Sequence, residues 1–208
     1  MARILGSKCR VCRREGLKLF LKGIKCDSAK CTLEKNSQPP GQHGAKRPRF
    51  TDYGKHLRET QRLKRLYGLT RKHLKRYFAT AAKQTGNTGE NLLVLLETRL
   101  DNIVFLGGFT PSRLAARQLI DHGHIFLNSR KASIPSMNVK PGDIIKPAGN
   151  ETSLNIVKKH IEKTKKDQIP SWIKFAEEPL QIQVLQKPKR IDISTQINEQ
   201  LVVEFCSR

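Results

Sequence analysis

The sequence predicts an α+β protein built in two parts, and three patterns along the chain support this fold class. Two closely spaced cysteine pairs fall within the first 31 residues, which is typical of a metal knuckle. Apolar residues recur at helical spacing from about residue 51 to residue 120. Short alternating apolar runs follow beyond residue 124 and indicate strands. We therefore expect an N-terminal four-cysteine metal knuckle and basic helical domain, then a second domain of antiparallel strands and helices.

The charge of the chain is strongly positive and unevenly distributed. The 208 residues include 40 Lys and Arg against 18 Asp and Glu, a formal net charge of +22 at pH 7. Residues 1–77 hold 22 of the basic residues and five of the acidic ones, a net charge of +17, whereas the remainder holds 18 and 13, a net charge of +5. Such a surface repels itself unless a polyanion neutralises it, and nucleic acid is the simplest one. The first third of the chain is therefore predicted to face nucleic acid.

Membrane and exported proteins are disfavoured by the apolar content. The longest aliphatic run, Leu92–Leu96, is far too short to span a bilayer. The first residues contain no apolar stretch that could act as a secretory signal. Aromatic residues make up only 6% of the chain, which disfavours a membrane surface as the acidic partner. We therefore expect no membrane partner and a cytoplasmic location.

The knuckle (residues 1–44) carries the pairs Cys9-x2-Cys12 and Cys26-x4-Cys31, with thirteen residues between them. Two pairs at this spacing suit a tetrahedral thiolate site, and four protein ligands make it closed and therefore structural. Zinc is the expected metal, and an iron–sulfur cluster is the alternative because it uses the same ligands. A disulfide framework is disfavoured because no export signal is present. The many basic residues around the pairs are expected to lower the pKa of the thiols.

A turn-rich basic arm (residues 38–49) and two basic helices follow the knuckle. The arm is either a solvated linker or a segment pressed on RNA. The helices are predicted from about Thr51 to Tyr67 and from about Thr70 to Lys83, with Thr70 as N-cap of the second. Across knuckle, arm and helices the candidate RNA-binding residues are Arg10, Arg13, Arg14, Lys22, Lys30, Gln42, His43, Arg47, Arg49, Lys55, Arg58, Arg62, Arg71, Lys72 and Arg76.

Two further helices are predicted before the strands. One runs from about Glu90 to Leu106 and ends at Gly107. The next begins at Thr110 as N-cap, with a proline at its first position, and ends at Gly123. Two arginines of this helix, at positions 113 and 117, lie four residues apart on one face and outside the apolar stripe. We expect these two side chains to project from the helix and to contribute little to stability.

The remaining chain is predicted to be strands with one exposed helix. Strands are expected at His124–Leu127, Lys131–Ile134 and Ile144–Lys146, a helix over about 152–166, and strands around 180–184 and 201–206. Cys206 is then a half-buried strand thiol. The predicted domains are 1–44, 45–92 with 196–208 packing back on it, and 93–195.

A series of residues from Arg99 to Asp143 resembles the S-four RNA-binding module, named after the fourth protein of the small ribosomal subunit. Its parts are Arg99-Leu100-Asp101-Asn102, Ser112-Arg113-x3-Arg117-Gln118-Leu119-Ile120-Asp121-His122-Gly123-His124 and Pro141-Gly142-Asp143. The cysteine spacing, Pro39-Pro40-Gly41-Gln42-His43-Gly44 and the ending Asn198-Glu199-Gln200-Leu201-Val202-Val203-Glu204-Phe205 extend the resemblance over nearly the whole chain. Together they resemble the cysteine-bearing form of the bacterial small-subunit S-four ribosomal family.

The resemblance implies a structural, non-enzymatic protein that binds small-subunit rRNA. Members of the family hold a multi-helix junction of the 5′ domain, nucleate assembly of the subunit body and influence decoding accuracy where mRNA enters. Implied partners are rRNA, neighbouring small-subunit proteins (notably the fifth) and mRNA, with no small-molecule substrate, and the implied location is the ribosome of a cytoplasm or an organelle. The module, about residues 99–160, would contact RNA through Arg99, Asp101, Ser112, Arg113, Arg117, Gln118, His122 and His124.

Two positions depart from the module's usual pattern. Leu106 stands where an arginine is common, so one phosphate contact is expected to be missing. Asn128-Ser129 stands where Asn-Gly is common. A type I′ turn needs positive φ at both central positions, which serine resists, so we expect another turn type here.

Two other functions share the same sequence features. An RNA-modifying enzyme of the pseudouridine-synthase kind carries such a module as an accessory, and its catalytic aspartate lies in an Arg-Leu-Asp sequence like Arg99-Leu100-Asp101. Here no Thr-Ser-Gly follows, so the simpler role of Asp101 is to orient a neighbouring arginine. A DNA-binding regulator is the other alternative, suggested by the cysteine knuckle and the helix pairs.

Overall fold

The chain divides into two units, and the boundary between them along the chain falls inside a helix. The computed structural model describes residues 6–44, 46, 51–162, 169–194 and 196–207. Unit 1 comprises residues 1–92 and 195–208, and unit 2 comprises residues 93–194. The dividing helix is α6 (Thr88–Glu97). Each unit is described by itself.

In its described residues, unit 1 contains helices joined by loops and no strand. Its helices are α1 (Lys8–Glu15), α2 (Ile24–Asp27), α3 (Thr32–Lys35), α4 (Asp52–Leu66), α5 (Arg71–Ala82) and α10 (Glu199–Ser207). The predicted starts of α4 and α5 are confirmed by their caps. The Thr51 hydroxyl accepts a bond from Gly54 N at 3.2 Å, and the Thr70 hydroxyl accepts one from His73 N at 3.3 Å. These local bonds satisfy amides that have no partner within the first helical turn.

The strand predicted over residues 201–206 is wrong, because these residues belong to helix α10. The helix packs on α4, and Val202 is fully buried. Glu204 contacts the ring Nε2 of His56 at 2.5 Å, and the rings of Tyr53 and Phe205 lie 5.7 Å apart between centroids. Burial against α4 therefore outweighs the local preference of the two valines for a strand. Cys206 is half-buried, in a helix rather than in a strand.

The single helix predicted over about 90–106 is two helices, α6 and α7 (Leu100–Leu106). The break lies at Arg99, which forms an isolated bridge with Asn138. Thr98 O accepts a bond from Val139 N at 2.9 Å, and Leu100 N donates to Met137 O at 2.9 Å. A segment distant in sequence thus takes the backbone groups that a continuous helix would have paired.

Helix α8 (Arg113–Asp121) begins two residues later than predicted. Its N-cap is Ser112, whose hydroxyl accepts a bond from Ala115 N at 3.3 Å. The expected Thr110 cap is therefore wrong, and the Thr110 hydroxyl instead donates to Ser112 O at 3.3 Å. Gly123, at φ +74°, follows the end of the helix as predicted.

An antiparallel sheet with strand order β2-β1-β3-β5-β4 forms one layer of unit 2. The strands are β1 (Ile125–Leu127), β2 (Arg130–Ala132), β3 (Ile144–Pro147), β4 (Ile173–Ala176) and β5 (Gln181–Val184). The sequence missed β4, which pairs with β5 through partners such as Phe175 and Ile182. Helix α9 (Glu151–Ile161) contacts β3. Residues 163–166 of the longer helix predicted here lie outside the described residues.

The hairpin between β1 and β2 has positive φ at both central residues, +48° for Asn128 and +68° for Ser129. The expectation that serine would force another turn type is wrong. The Asn128 side chain donates to Asp143 at 2.7 Å and accepts from Ile144 N at 2.9 Å. These bonds from the neighbouring strand hold the turn in a conformation that Ser129 alone resists.

The core of unit 2 is a continuous apolar cluster between helices and sheet. Its largest member is Trp172, which is 1% exposed, and Phe109, Ile120 and Ile182 are fully buried. Leu106, which replaces an arginine usual in the module, packs against this cluster. The leucine therefore serves the core rather than the surface.

Candidate nucleic-acid interface

The four knuckle cysteines lie in or beside the short helices of unit 1. Cys9 and Cys12 belong to α1, Cys26 belongs to α2 and Cys31 precedes α3. All four are free thiols, and all but the half-buried Cys9 are buried. The alternative of a disulfide framework is therefore not supported.

The pKa of the buried thiols is raised, not lowered. Burial raises the pKa of Cys12 and of Cys26, and neighbouring thiols of the knuckle raise both further. The expectation that surrounding basic residues lower these pKa values is wrong, because desolvation is the largest effect and the effects that lower the pKa are backbone hydrogen bonds at Leu19 and Lys22.

The four cysteines are the type of ligand that a soft divalent metal prefers, but their side chains do not converge on one point. Within the described residues, no three Cys, His, Asp or Glu side chains converge closely enough to hold a metal ion. None of the four cysteines is consumed in a disulfide, and three of them are buried. Thiolates in a closed, water-poor site are what structural zinc takes.

A buried carboxylate joins α1 to the arginine face of α4. The Glu15 side chain is fully buried and accepts bonds from Arg65 and, at 3.2 Å, from Arg58. Arg62 donates to the Glu15 backbone oxygen at 3.1 Å and to Glu59. The guanidinium groups keep 23–28% of their side-chain surface exposed. We call these five residues the Glu15 cluster; it holds three arginines at the surface in fixed positions.

Burial raises the pKa of Glu15, and the three arginines act in the opposite direction. One carboxylate oxygen of Glu15 and the Nε of Arg62 lack hydrogen-bond partners and face each other at 3.9 Å. The ion pairs therefore offset only part of the cost of burying the charge.

A second buried carboxylate organises the module in unit 2. Asp101 is 2% exposed and accepts two bonds from Arg99, at 2.9 and 2.7 Å. Arg117 donates to the same carboxylate at 3.1 and 2.6 Å. We call these three residues the Asp101 network. Asp101 therefore orients arginines, as the simpler interpretation predicted, and both arginines are buried.

The two arginines of α8 have different surroundings, so the prediction that both project from one open face is wrong. Arg117 is 7% exposed, within the Asp101 network. Arg113 is half-buried; its Nε donates to Asn102 at 2.7 Å and its guanidinium lies 4.6 Å from the centroid of the Phe105 ring. Asn102 in turn donates to Glu97 at 2.5 Å. Arg113 is therefore positioned at the surface, whereas Arg117 belongs to the interior.

The other predicted RNA-binding residues vary in exposure. The exposed ones are Arg10, Arg14, Lys22, Lys30, Gln42, His43, Lys55, Arg71, Lys72, Arg76, Gln118 and His122. The half-buried ones are Arg13, Arg58, Arg62, Arg113 and His124. Arg99, Asp101, Ser112 and Arg117 are buried, and Arg47 and Arg49 lie outside the described residues.

Two half-buried residues are held by contacts that set their orientation. Arg13 donates from Nε to Gln38 O at 2.8 Å, which ties α1 to the start of the arm. The His124 ring contacts the hydroxyl of the buried Ser153 at 2.8 Å, and its centroid lies 6.1 Å from that of His122. A pair of polar rings therefore lies beside the start of β1.

Comparison with known proteins agrees with this arrangement of a basic helical part followed by a module. Residues 3–97 match the family described as Ribosomal protein S4/S9 N-terminal domain, and residues 98–145 match the S4 domain. The chain is 49% identical to the small ribosomal subunit protein uS4 of Dictyoglomus turgidum, over all 208 residues of both chains. The chain belongs to the uS4 family. The uS4A protein of Nitrosomonas europaea is 48% identical to the chain, and the uS4 protein of Thermus thermophilus is 45% identical. Each match covers the full length of both chains.

The family resemblance drawn from the sequence is thereby confirmed. The uS4 relatives carry the name of a ribosomal protein, not of an enzyme, so the interpretation as an RNA-modifying enzyme is not supported. In the described part of the chain, no helix is both long and apolar enough to cross a membrane.

Sequence reasoning missed the residues that position others. Glu15, Glu59, Asn102 and Ser153 form the contacts above, yet none was singled out. A usable signal existed for Glu15, since it is one of only five acidic residues among the first 77 and directly follows two arginines. Nothing local marks Ser153, because its partner lies 29 residues away.

Proposed function

We propose that this uS4-family chain is a structural component of the small ribosomal subunit that binds rRNA and is located in the ribosome. The observation that carries the proposal is the excess of exposed basic residues in unit 1, where residues 1–77 have a net charge of +17. Exposed arginines and lysines bind phosphates by releasing counterions from the nucleic acid. The names of the full-length relatives support the ribosomal assignment.

The contacts of Glu15 and Asp101 divide the predicted RNA-binding residues into those held by a buried carboxylate and those that can contact phosphates. The Glu15 cluster and the Asp101 network hold arginines in place, while exposed or half-buried side chains such as Lys22, Arg76 and Arg113 are available to phosphates. Fixing a guanidinium before binding removes part of the ordering cost of the complex. Arg99 and Arg117 therefore act as positioning residues, and direct contact is left to their surface neighbours.

The finer role follows the family. The chain would bind a multi-helix junction of the 5′ rRNA domain, nucleate assembly of the subunit body, lie beside the fifth small-subunit protein and influence accuracy where mRNA enters. A junction suits the chain because its basic residues are distributed over several helices, which can contact several RNA strands.

The knuckle cysteines would hold a structural Zn²⁺. Cys9, Cys12, Cys26 and Cys31 supply four thiolates, which leave no open position for a substrate. Three of the thiols are already buried. An iron–sulfur cluster is the alternative, because it takes the same ligands. The metal would fix the short helices α1 to α3, which carry few apolar side chains of their own.

The salt dependence of RNA binding tests the rRNA proposal. About six phosphate contacts would weaken binding roughly a thousandfold between about 50 and 200 mM salt. We expect this for a fragment containing the 5′-domain junction, and weaker binding to duplex DNA of equal charge. A slope near zero would contradict the phosphate interface, and equal affinity for DNA would favour the DNA-binding regulator.

Arg113→Ala sharpens the same test within the module. We expect it to weaken binding to the junction fragment by about tenfold to a hundredfold, because a charge-assisted bond to RNA contributes about 1.5–3 kcal/mol. The matched control is Lys187→Ala, an exposed basic residue outside the module. Equal losses in the two variants would show that Arg113 contributes only general charge.

A further inference from the structure

The segment between α1 and α2 presents an aromatic ring to solvent. Leu19 is 4% exposed and faces the interior of the knuckle, whereas the next residue, Phe20, is 41% exposed. Ile24, at the start of α2, is 47% exposed. In a knuckle with so little apolar material, two large apolar side chains remain at the surface instead of joining the core.

The backbone holds this ring outward in an unfavourable conformation. Phe20 has φ +48°. Among the described residues, the other non-glycine residues with positive φ are Asn128 and Ser129, which form a hairpin turn. For a bulky side chain the left-handed region is strained, and such strain persists where the surrounding structure enforces it, often at binding sites. Phe20 thus combines an unfavourable backbone conformation with an exposed ring, directly after the buried Leu19.

Lysines lie close to Phe20 along the chain. Lys22 follows it by two residues and is exposed, as is Lys25 in α2. Lys18, two residues before Phe20, pairs with Glu34. An exposed ring in a lysine-rich segment suits a ligand that has a flat aromatic surface and an adjacent negative charge, which describes a nucleotide.

We propose that Phe20 is a stacking platform for an unpaired base of the bound RNA, with Lys22 and Lys25 contacting the phosphates on either side. The inference rests on the proposed rRNA function and deepens it, because it names a nucleotide-binding position that is not a phosphate contact. Single-stranded bases displaced from a helix stack on aromatic side chains in this way. The ligand is a base in a loop, bulge or junction, rather than one within a duplex.

Affinity measured across a salt series separates stacking from charge. Phe20→Ala is expected to weaken binding to the junction fragment by about tenfold to a hundredfold, because a base–aromatic stack contributes that much to affinity. The slope of log affinity against log salt should stay at the wild-type value, since no cation is lost. Lys22→Ala, the matched control, should instead make the slope shallower by about one.

Two substitutions decide whether the ring stacks or only packs. Phe20→Trp should keep wild-type affinity, whereas Phe20→Leu, which is apolar but has no π-face, should lose nearly as much as Phe20→Ala. Ultraviolet cross-linking should join residue 20 to an unpaired base, mapped by mass spectrometry. Hydrogen exchange of α1 and α2 checks that each variant keeps a folded knuckle.

Several outcomes would overturn the proposal. Wild-type affinity in Phe20→Ala would do so, as would full affinity in Phe20→Leu. Normal RNA affinity combined with poor incorporation into subunits would instead assign the ring to a protein partner. A wild-type salt slope near zero would remove the proposed rRNA function itself, so the two failures are distinguishable.

Discussion

Each unit buries a carboxylate that holds two or more arginines, but Asp101 and Glu15 lie in different surroundings. Asp101 lies beside the continuous apolar core of unit 2, and its partner arginines keep only 5% and 8% of their side-chain surface exposed. Glu15 lies in unit 1, within the cysteine knuckle, and its arginines remain about a quarter exposed. The same chemical motif therefore has two consequences. In unit 2 it is part of the interior, and in unit 1 it supports a surface.

The reason is the exposure of the cations. A buried guanidinium that loses its carboxylate cannot be rehydrated, whereas a partly exposed one can turn toward water. Unit 2 should therefore depend on its ion pairs for stability. Unit 1 should depend for its stability on the zinc proposed for its four cysteines, and its ion pairs should serve to place arginines.

Removal of the metal is the change with the largest expected effect, and it should affect unit 1 alone. Cys12→Ser should abolish the binding of one zinc per chain, because the site loses one of its four ligands. Residues 6–44 should then become sensitive to protease, since their few apolar side chains cannot offset an ordering cost of about 1–2 kcal/mol per residue. Unit 2 should stay protected. Elemental analysis and limited proteolysis measure these outcomes.

Cys206→Ser is the matched control, because this cysteine lies in α10 and outside the knuckle. It should leave zinc content and protection unchanged. A Cys12→Ser protein with a protected knuckle, or a wild-type protein without metal, would show that the thiols do not hold a structural metal.

Neutralising the buried carboxylate of unit 2 should have the next largest effect. Asp101→Asn keeps the shape but removes the negative charge that the buried Arg99 and Arg117 share. We expect a loss of about 3–5 kcal/mol in the free energy of unfolding of unit 2. The fluorescence of Trp172, the single tryptophan of the chain, reports this unfolding in urea. Glu162→Gln, an exposed acid-to-amide control, should cost less than about 0.5 kcal/mol.

The same isosteric change in unit 1 should have a much smaller effect on stability. Because burial raises the pKa of Glu15, the ionised side chain is less favoured in the folded unit than in the unfolded chain. Glu15→Gln should therefore leave the hydrogen-exchange protection of α4 near its wild-type level at neutral pH. Its RNA affinity should fall, since a neutral amide oxygen holds the arginines of α4 less strongly than a carboxylate does.

The pH dependence of the wild type follows from the same pKa shift. A carboxyl whose pKa is higher in the folded than in the unfolded state holds its proton more tightly when folded. The stability of unit 1 should thus rise as pH falls from neutrality toward the ordinary value of a glutamate, and Glu15→Gln should lose this increment. If the wild type instead loses protection over that interval relative to Glu15→Gln, the arginines dominate and the two carboxylates behave alike.

Part of this architecture is accessible from the sequence because it depends on short-range interactions. The starts of α4 and α5 follow from Thr51 and Thr70, whose hydroxyls bond to amides three residues away. The positive charge that points to RNA is a property of composition and needs no fold. The family is likewise evident from residues quoted along the whole chain.

The remaining features depend on partners that are distant in sequence, so only the tertiary structure decides them. Residues 199–207 are helical because α10 packs on α4, although their β-branched residues favour a strand locally. The break at Arg99 exists because the segment around Asn138 bonds to its neighbours. Arg117 is interior because it reaches Asp101, sixteen residues before it, while Arg113, on the same helix, stays near the surface. Charge and spacing along the chain are identical for surface and buried arginines, and only their three-dimensional surroundings separate them.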